Sequence, residues 1–141
     1  PWDRAVSYYH WLQEQSFDHP AVHLSKALAF RDFILHADIL RSFEQNNAPS
    51  YMRGADGREQ CQLYIRLEHF AADAAPLFAH LGFGLQLGRE NRSNRQRDWR
   101  GYYDDQTRGA IAVACTEEII RFEYSFNDFD LALDQTGPAA G

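Results

Sequence analysis

The sequence predicts an α/β chain that is mostly helical, with five to six helices and one or two strands. Apolar residues recur at helical spacing through most of the chain. One short run, residues 61–67 (CQLYIRL), reads instead as a buried strand bounded by polar residues. Turn-forming clusters separate these segments. At 141 residues the length suits a single domain with its own core, and ten Phe, seven Tyr and three Trp exclude a disordered composition.

Residues 1–15 enter a helix at once. Pro1 suits the first helical position, Asp3 puts a carboxylate near the positive end of the dipole, and Trp2, Val6, Tyr9 and Leu12 share a face. Ser7 and His10 lie on this helix, where a serine ordinarily bonds back to its own backbone and a histidine ordinarily packs or faces solvent. After a break at residues 17–20, residues 21–29 are helix-compatible. Residues 31–45 form a clearer helix with Phe33, Ile34, Ala37, Ile39, Leu40 and Phe43 inward. The run NNAPS (46–50) ends it as a turn.

Residues 51–60, with Gly54 and Gly57, read as a loop or short hairpin before the strand at 61–67. Glu68 at its end is expected to act as a cap or ion-pair partner. Residues 71–81 form a short amphipathic helix stopped by Gly82, and 106–122 form the last helix, capped by Asp104 or Asp105. Its inward face is Ile111, Ala114, Cys115, Ile119 and Phe122, with Phe126 continuing the packing. The domain spans 1–133, and the Gly/Pro/Ala-rich end, 134–141, reads as a disordered tail. A lone strand needs partners, so the expected sheet is completed from before Pro1, and its open edge would favour self-association.

The net charge of −6 argues against a general nucleic-acid coat. Against that background, residues 89–103 (RENRSNRQRDWRGYY) hold five of the chain's thirteen arginines within twelve residues, interleaved with Asn, Ser and Gln. Guanidinium forks and carboxamides on one loop suit a phosphate or sulfate group, although a solvated charged loop has the same composition. Trp99, Tyr102 and Tyr103 are expected to pack the loop down rather than stack a base. Cys61 and Cys115 show no metal spacing and read as two buried free thiols. His19 and His23 are separated by Pro20 and lack a third ligand, so no metal is expected. No apolar run reaches the ~20 residues of a membrane span.

Three segments in order resemble the sulfotransferase family, its bacterial and carbohydrate-type branch in particular. They are PWDRAVSYYHWL at 1–12, ADGREQCQLYIRLEHFAADAAPLFAHLGF at 55–83, and NRSNRQRDWRGYYDDQTRGAIAVACTEEIIRFEYSF at 91–126. The resemblance implies the C-terminal part of a P-loop-type α/β fold and transfer of a sulfuryl group from 3′-phosphoadenosine 5′-phosphosulfate, as co-substrate, to a hydroxyl or amine of a small-molecule or carbohydrate acceptor. It implies that Ser7 binds the donor's 3′-phosphate and that the basic loop closes over the nucleotide through Arg92, with Ser93, Asn94 and Arg95. The phosphosulfate-binding loop and the segment that carries the family's catalytic base are not in these residues. The implied function is thus the 3′-phosphate side of a sulfotransferase, with no catalytic residue assigned and no activity expected of the 141 residues alone. The alternative is a non-catalytic module that binds a nucleotide or a sulfated ligand. A cytoplasmic location is the matching expectation.

Overall fold

The computed structural model describes residues 1–86, 95–96 and 98–127, which are mostly helical. The chain runs α1 (Trp2–Glu14), α2 (Pro20–Ala27), α3 (Phe30–Leu35), α4 (Ala37–Gln45) and α5 (Ala48–Tyr51). A 3₁₀ turn (Leu67–His69), α6 (Phe70–Asp73) and α7 (Ala75–Leu81) follow. A second 3₁₀ turn (Trp99–Tyr102) then leads into α8 (Asp105–Ala114) and α9 (Thr116–Phe122).

Helix α1 lies at the centre. Trp2, Ala5, Val6, Tyr9 and Leu12 are buried, the stripe that the 3.6-residue repeat predicts. It packs against α2, α3 and the second 3₁₀ turn, while α8 packs against α3 and α4. The core joins this stripe to Val22, Phe30, Phe33, Ile34, Ile39, Phe43, Trp99, Ile111 and Cys115. Polar ties cross the same joints. Tyr9 Oη donates to Leu28 O at 2.9 Å, Gln13 Nε2 donates to Ser25 O at 3.1 Å, and Trp2 Nε1 donates to Arg108 O at 3.1 Å.

Several expected helices are subdivided, each for a local reason. The segment 31–45 breaks at His36, whose backbone is extended and whose Nδ1 accepts from the Asp38 N–H at 3.3 Å, starting α4 afresh. Ala37, expected inward, is exposed there. Residues 46–50 are more than a turn: Asn47 Oδ1 accepts from the Ser50 N–H at 3.0 Å and caps the single turn of α5. The 71–81 helix is divided at Ala74, because Pro76 has no N–H to give and its ring crowds the carbonyl four residues back. Gly82 closes α7 with φ +76°, the left-handed stop expected of it. The last helix divides at Cys115, where Thr116 Oγ1 donates back to Ala112 O and Val113 O at 3.0 and 2.8 Å. Helix α9 ends on Glu123, left-handed at φ 57°.

The strand expected at 61–67 is corrected. The segment has no ladder, and the only pairing among the described residues is an isolated antiparallel bridge between Arg53 and Glu59. Strand chemistry without a second strand leaves the backbone unpaired, so the chain stays irregular and turns into the 3₁₀ helix. The described residues therefore hold no sheet edge of the kind expected to promote self-association, though Leu63, Leu67, Leu81, Phe83 and Leu85 are exposed apolar groups. The expected disordered tail, 134–141, lies outside the described residues.

Helix α8 begins with a reciprocal cap. Asp104 Oδ1 accepts from the Thr107 N–H at 2.7 Å, and Thr107 Oγ1 accepts from the Asp104 N–H at 3.0 Å. The Thr107 N–H and, at 2.9 Å, the Thr107 hydroxyl both donate to the Asp104 carboxylate and, followed by Arg31 at 3.0 Å, hold it below its ordinary range. Thr107 is fully buried. Thr107→Val keeps its shape and removes the hydroxyl, so denaturant unfolding should show a loss of about 1–2 kcal/mol that Thr107→Ser largely restores. A Thr107→Val chain as stable as the parent would remove the cap from the account of α8.

Candidate functional site

Asp3, Ser7 and His10 sit at positions i, i+4 and i+7 of α1 and so form one stripe along the helix. Residues 95–96 and 98–103 lie along that stripe. At one end the Arg95 guanidinium pairs with the Asp3 carboxylate. At the other, His10 Nε2 is 3.1 Å from Tyr102 Oη with the two rings nearly perpendicular, and the Gln96 N–H donates to the same hydroxyl at 3.3 Å. Ser7 lies between the two contacts, half-buried, and its hydroxyl makes no hydrogen bond to the described residues. The back-bond usual for a helical serine is absent here, in contrast to Ser25, whose Oγ donates to Val22 O at 2.9 Å.

The segment opposite Ser7 is anchored by aromatic packing, as expected. Trp99 is buried and meets Phe126 edge-on at 5.1 Å; Phe126 also reaches Trp2 at 5.5 Å and Tyr103 at 5.6 Å. Tyr103 Oη donates to Trp2 O at 2.8 Å, and burial holds its phenol well above the ordinary range. Burial, then the charge of Arg95, lowers the pKa of His10, so its imidazole is neutral at neutral pH. The stripe thus offers a hydroxyl unengaged by the described residues, a neutral imidazole and a guanidinium that Asp3 partly neutralises. An arriving phosphate would compete with Asp3 for Arg95.

Of the other expected ligands, Arg92, Ser93 and Asn94 lie outside the described residues. Glu68 is exposed in the 3₁₀ turn and forms none of the described ion pairs. The ion pair expected of it belongs instead to Arg66 and Asp73, at 2.8 and 3.1 Å, which brings the Asp73 carboxyl to about 2. His19 caps α2, its Nδ1 accepting from the Ala21 N–H at 3.2 Å, while His23 meets Asp18 at 2.7 Å. Among the described residues no group of three or more His, Cys, Asp or Glu is arranged to hold a metal ion. Cys115 is buried, which raises its thiol pKa, but Cys61, expected to be buried, is exposed.

The sequence reading missed a second feature one residue round α1. Arg4 and Tyr8 form the neighbouring stripe and, with Ser42, Phe43 and Asn46 of the α4 end, line an open pocket of about 290 Å³. Arg4 Nη2 stands 3.2 Å from Oε2 of Glu118, which is only 5% exposed, and 3.7 Å from Cys115 Sγ. That carboxylate oxygen has no aligned hydrogen-bond donor, so charge attraction holds the pair. The Arg4 guanidinium also lies 5.3 Å from the centre of the Phe43 ring. The i, i+4 spacing of Arg4 and Tyr8 was legible in the sequence, but nothing in it pointed to Glu118 as the distant partner of Arg4.

No family model matches the chain, and neither the curated proteins nor the solved structures offer a significant match. No helix among the described residues is long and apolar enough to cross a membrane.

Proposed function

We propose that the chain supplies the 3′-phosphate side of the donor site of a P-loop-type sulfotransferase, with 3′-phosphoadenosine 5′-phosphosulfate as the donor. The observation that carries this reading is the Ser7 hydroxyl. It makes no hydrogen bond to the described residues and is half-buried, on the α1 stripe between the Arg95–Asp3 and His10–Tyr102 contacts. A hydroxyl and a guanidinium on one stripe are complementary to a phosphate monoester. The sequence resemblance of 1–12, 55–83 and 91–126 supports the same reading. In it, Ser7 and Arg95 bind the 3′-phosphate, and Arg92, Ser93 and Asn94 complete the loop.

Calorimetric titration with adenosine 3′,5′-bisphosphate tests it. Saturable binding is expected, with Ser7→Ala weakening it roughly ten-fold, the loss of one hydrogen bond to a charged group. Asp3→Asn should tighten it, because the competing carboxylate on Arg95 is removed. Affinity unchanged by Ser7→Ala would overturn the assignment.

A further inference from the structure

We infer that the pocket between α1 and α4 is a binding site for a neutral aromatic ring carrying a hydrogen-bonding oxygen substituent. The pocket lies on the stripe next to Ser7, and its occupancy does not require a nucleotide on the Ser7 stripe.

Size comes first. A dry cavity of about 150 Å³ is enough for benzene. At about 290 Å³ this pocket admits one ring with a substituent, or a small bicyclic ring, and no larger ligand without emerging into solvent. Shape comes second. Tyr8 and Phe43 meet at 85° with centroids 5.9 Å apart, so the walls offer one face and one edge, the two contacts that a flat aromatic ring prefers. Trp11, itself exposed, stacks on Tyr8 with centroids 6.2 Å apart and the rings 20° from parallel.

The polar groups fix the substituent. Asn46 Nδ2 donates to Ser42 O at 3.0 Å and reaches Ser42 Oγ at 3.4 Å, leaving the carboxamide oxygen without a partner among the described residues. Arg4 is held by Glu118, yet its Nε and Nη1 make no hydrogen bond to the described residues. Donors and an acceptor therefore line the same small space. The charge decides between ligand classes. Glu118 already balances Arg4, so an anionic ligand finds donors but no net positive charge, in a chain of net charge −6. A neutral hydroxyl uses the same donors without meeting that repulsion.

Titration of the full chain with phenol, benzoate and cyclohexanol, followed by nuclear magnetic resonance, tests the site. Phenol should shift the Tyr8, Trp11 and Asn46 signals saturably. Asn46→Ala and, separately, Ser42→Ala should each weaken it about five-fold by removing a hydrogen-bonding group. Cyclohexanol should bind about five-fold more weakly for want of ring contacts. Benzoate should also bind more weakly than phenol. Ser7→Ala, on the neighbouring stripe, should leave phenol affinity unchanged. Benzoate matching or exceeding phenol would overturn the neutral-ligand assignment, and cyclohexanol matching phenol would overturn the aromatic one. No saturable shift at millimolar phenol, or affinity unmoved by both pocket variants, would overturn the site.

Discussion

Arg4→Ala is expected to lower the unfolding free energy by about 3 kcal/mol, the low end of the range for breaking a buried ion pair. The low end applies because the two partners are buried unequally: the Arg4 side chain is 38% exposed and that of Glu118 only 7%. Removing Arg4 strands the Glu118 carboxylate beside Cys115, with no aligned donor to replace the lost cation. Most of the cost is that stranded charge, not the lost attraction. Two results follow. Glu118→Gln should cost less than Arg4→Ala, because the guanidinium that it leaves behind can still reach solvent. The double replacement Arg4→Met with Glu118→Leu should recover most of the loss, since apolar groups of similar volume need no partner. Chemical denaturation of the four chains measures all of this. A penalty under about 1 kcal/mol for Arg4→Ala would place the pair with ordinary surface salt bridges.

Trp99→Ala should be comparably severe, about 3 kcal/mol, by opening a cavity where a large ring is buried. Its effect on the Ser7 stripe should be larger than its effect on the rest of the fold. Trp99 holds Phe126 and Tyr103, and Tyr103 Oη holds the backbone of α1 at Trp2. Without the indole, the contacts of Arg95 with Asp3 and of Tyr102 with His10 lose their support. Amide exchange along α1 should then quicken most at Ser7 and His10, ahead of global unfolding. Uniform protection along α1, with exchange no faster on that stripe than at Tyr9 or Leu12, would separate the stripe from the aromatic anchor.

Periodicity carried much of the fold. The α1 stripe, Phe33, Ile34, Ile39 and Phe43, and the packing of Phe126 were legible because each depends on spacing within a few residues. The helix breaks at His36, Ala74 and Cys115 were not, because they turn on a side-chain cap, a ring clash and a back-bonding threonine that leave the apolar pattern almost intact. The strand at 61–67 was misread for the opposite reason. Its composition is strand-like, but a strand is a property of two segments, and the described residues supply no second one. At the candidate site, the family resemblance, not the residue chemistry, implied that Ser7 and Arg95 share one neighbourhood. It did not reveal Asp3 as the partner of Arg95, because acidic residues near a helix start already have an ordinary explanation in the dipole. The Arg4–Glu118 pair joins residues far apart in sequence and left no local signature.

Trp2 is bound at both its indole and its carbonyl by groups 106 and 101 residues further along the chain. On a ribosome adding about 5–20 residues per second, its partners follow it by roughly 5–20 seconds. For that interval the apolar stripe of α1 has emerged with α2 and α3 to cover it but without the 99–126 segment. The stripe that organises the finished fold is thus the one most in need of shelter while the chain is being made, and the demand on holding chaperones should peak there.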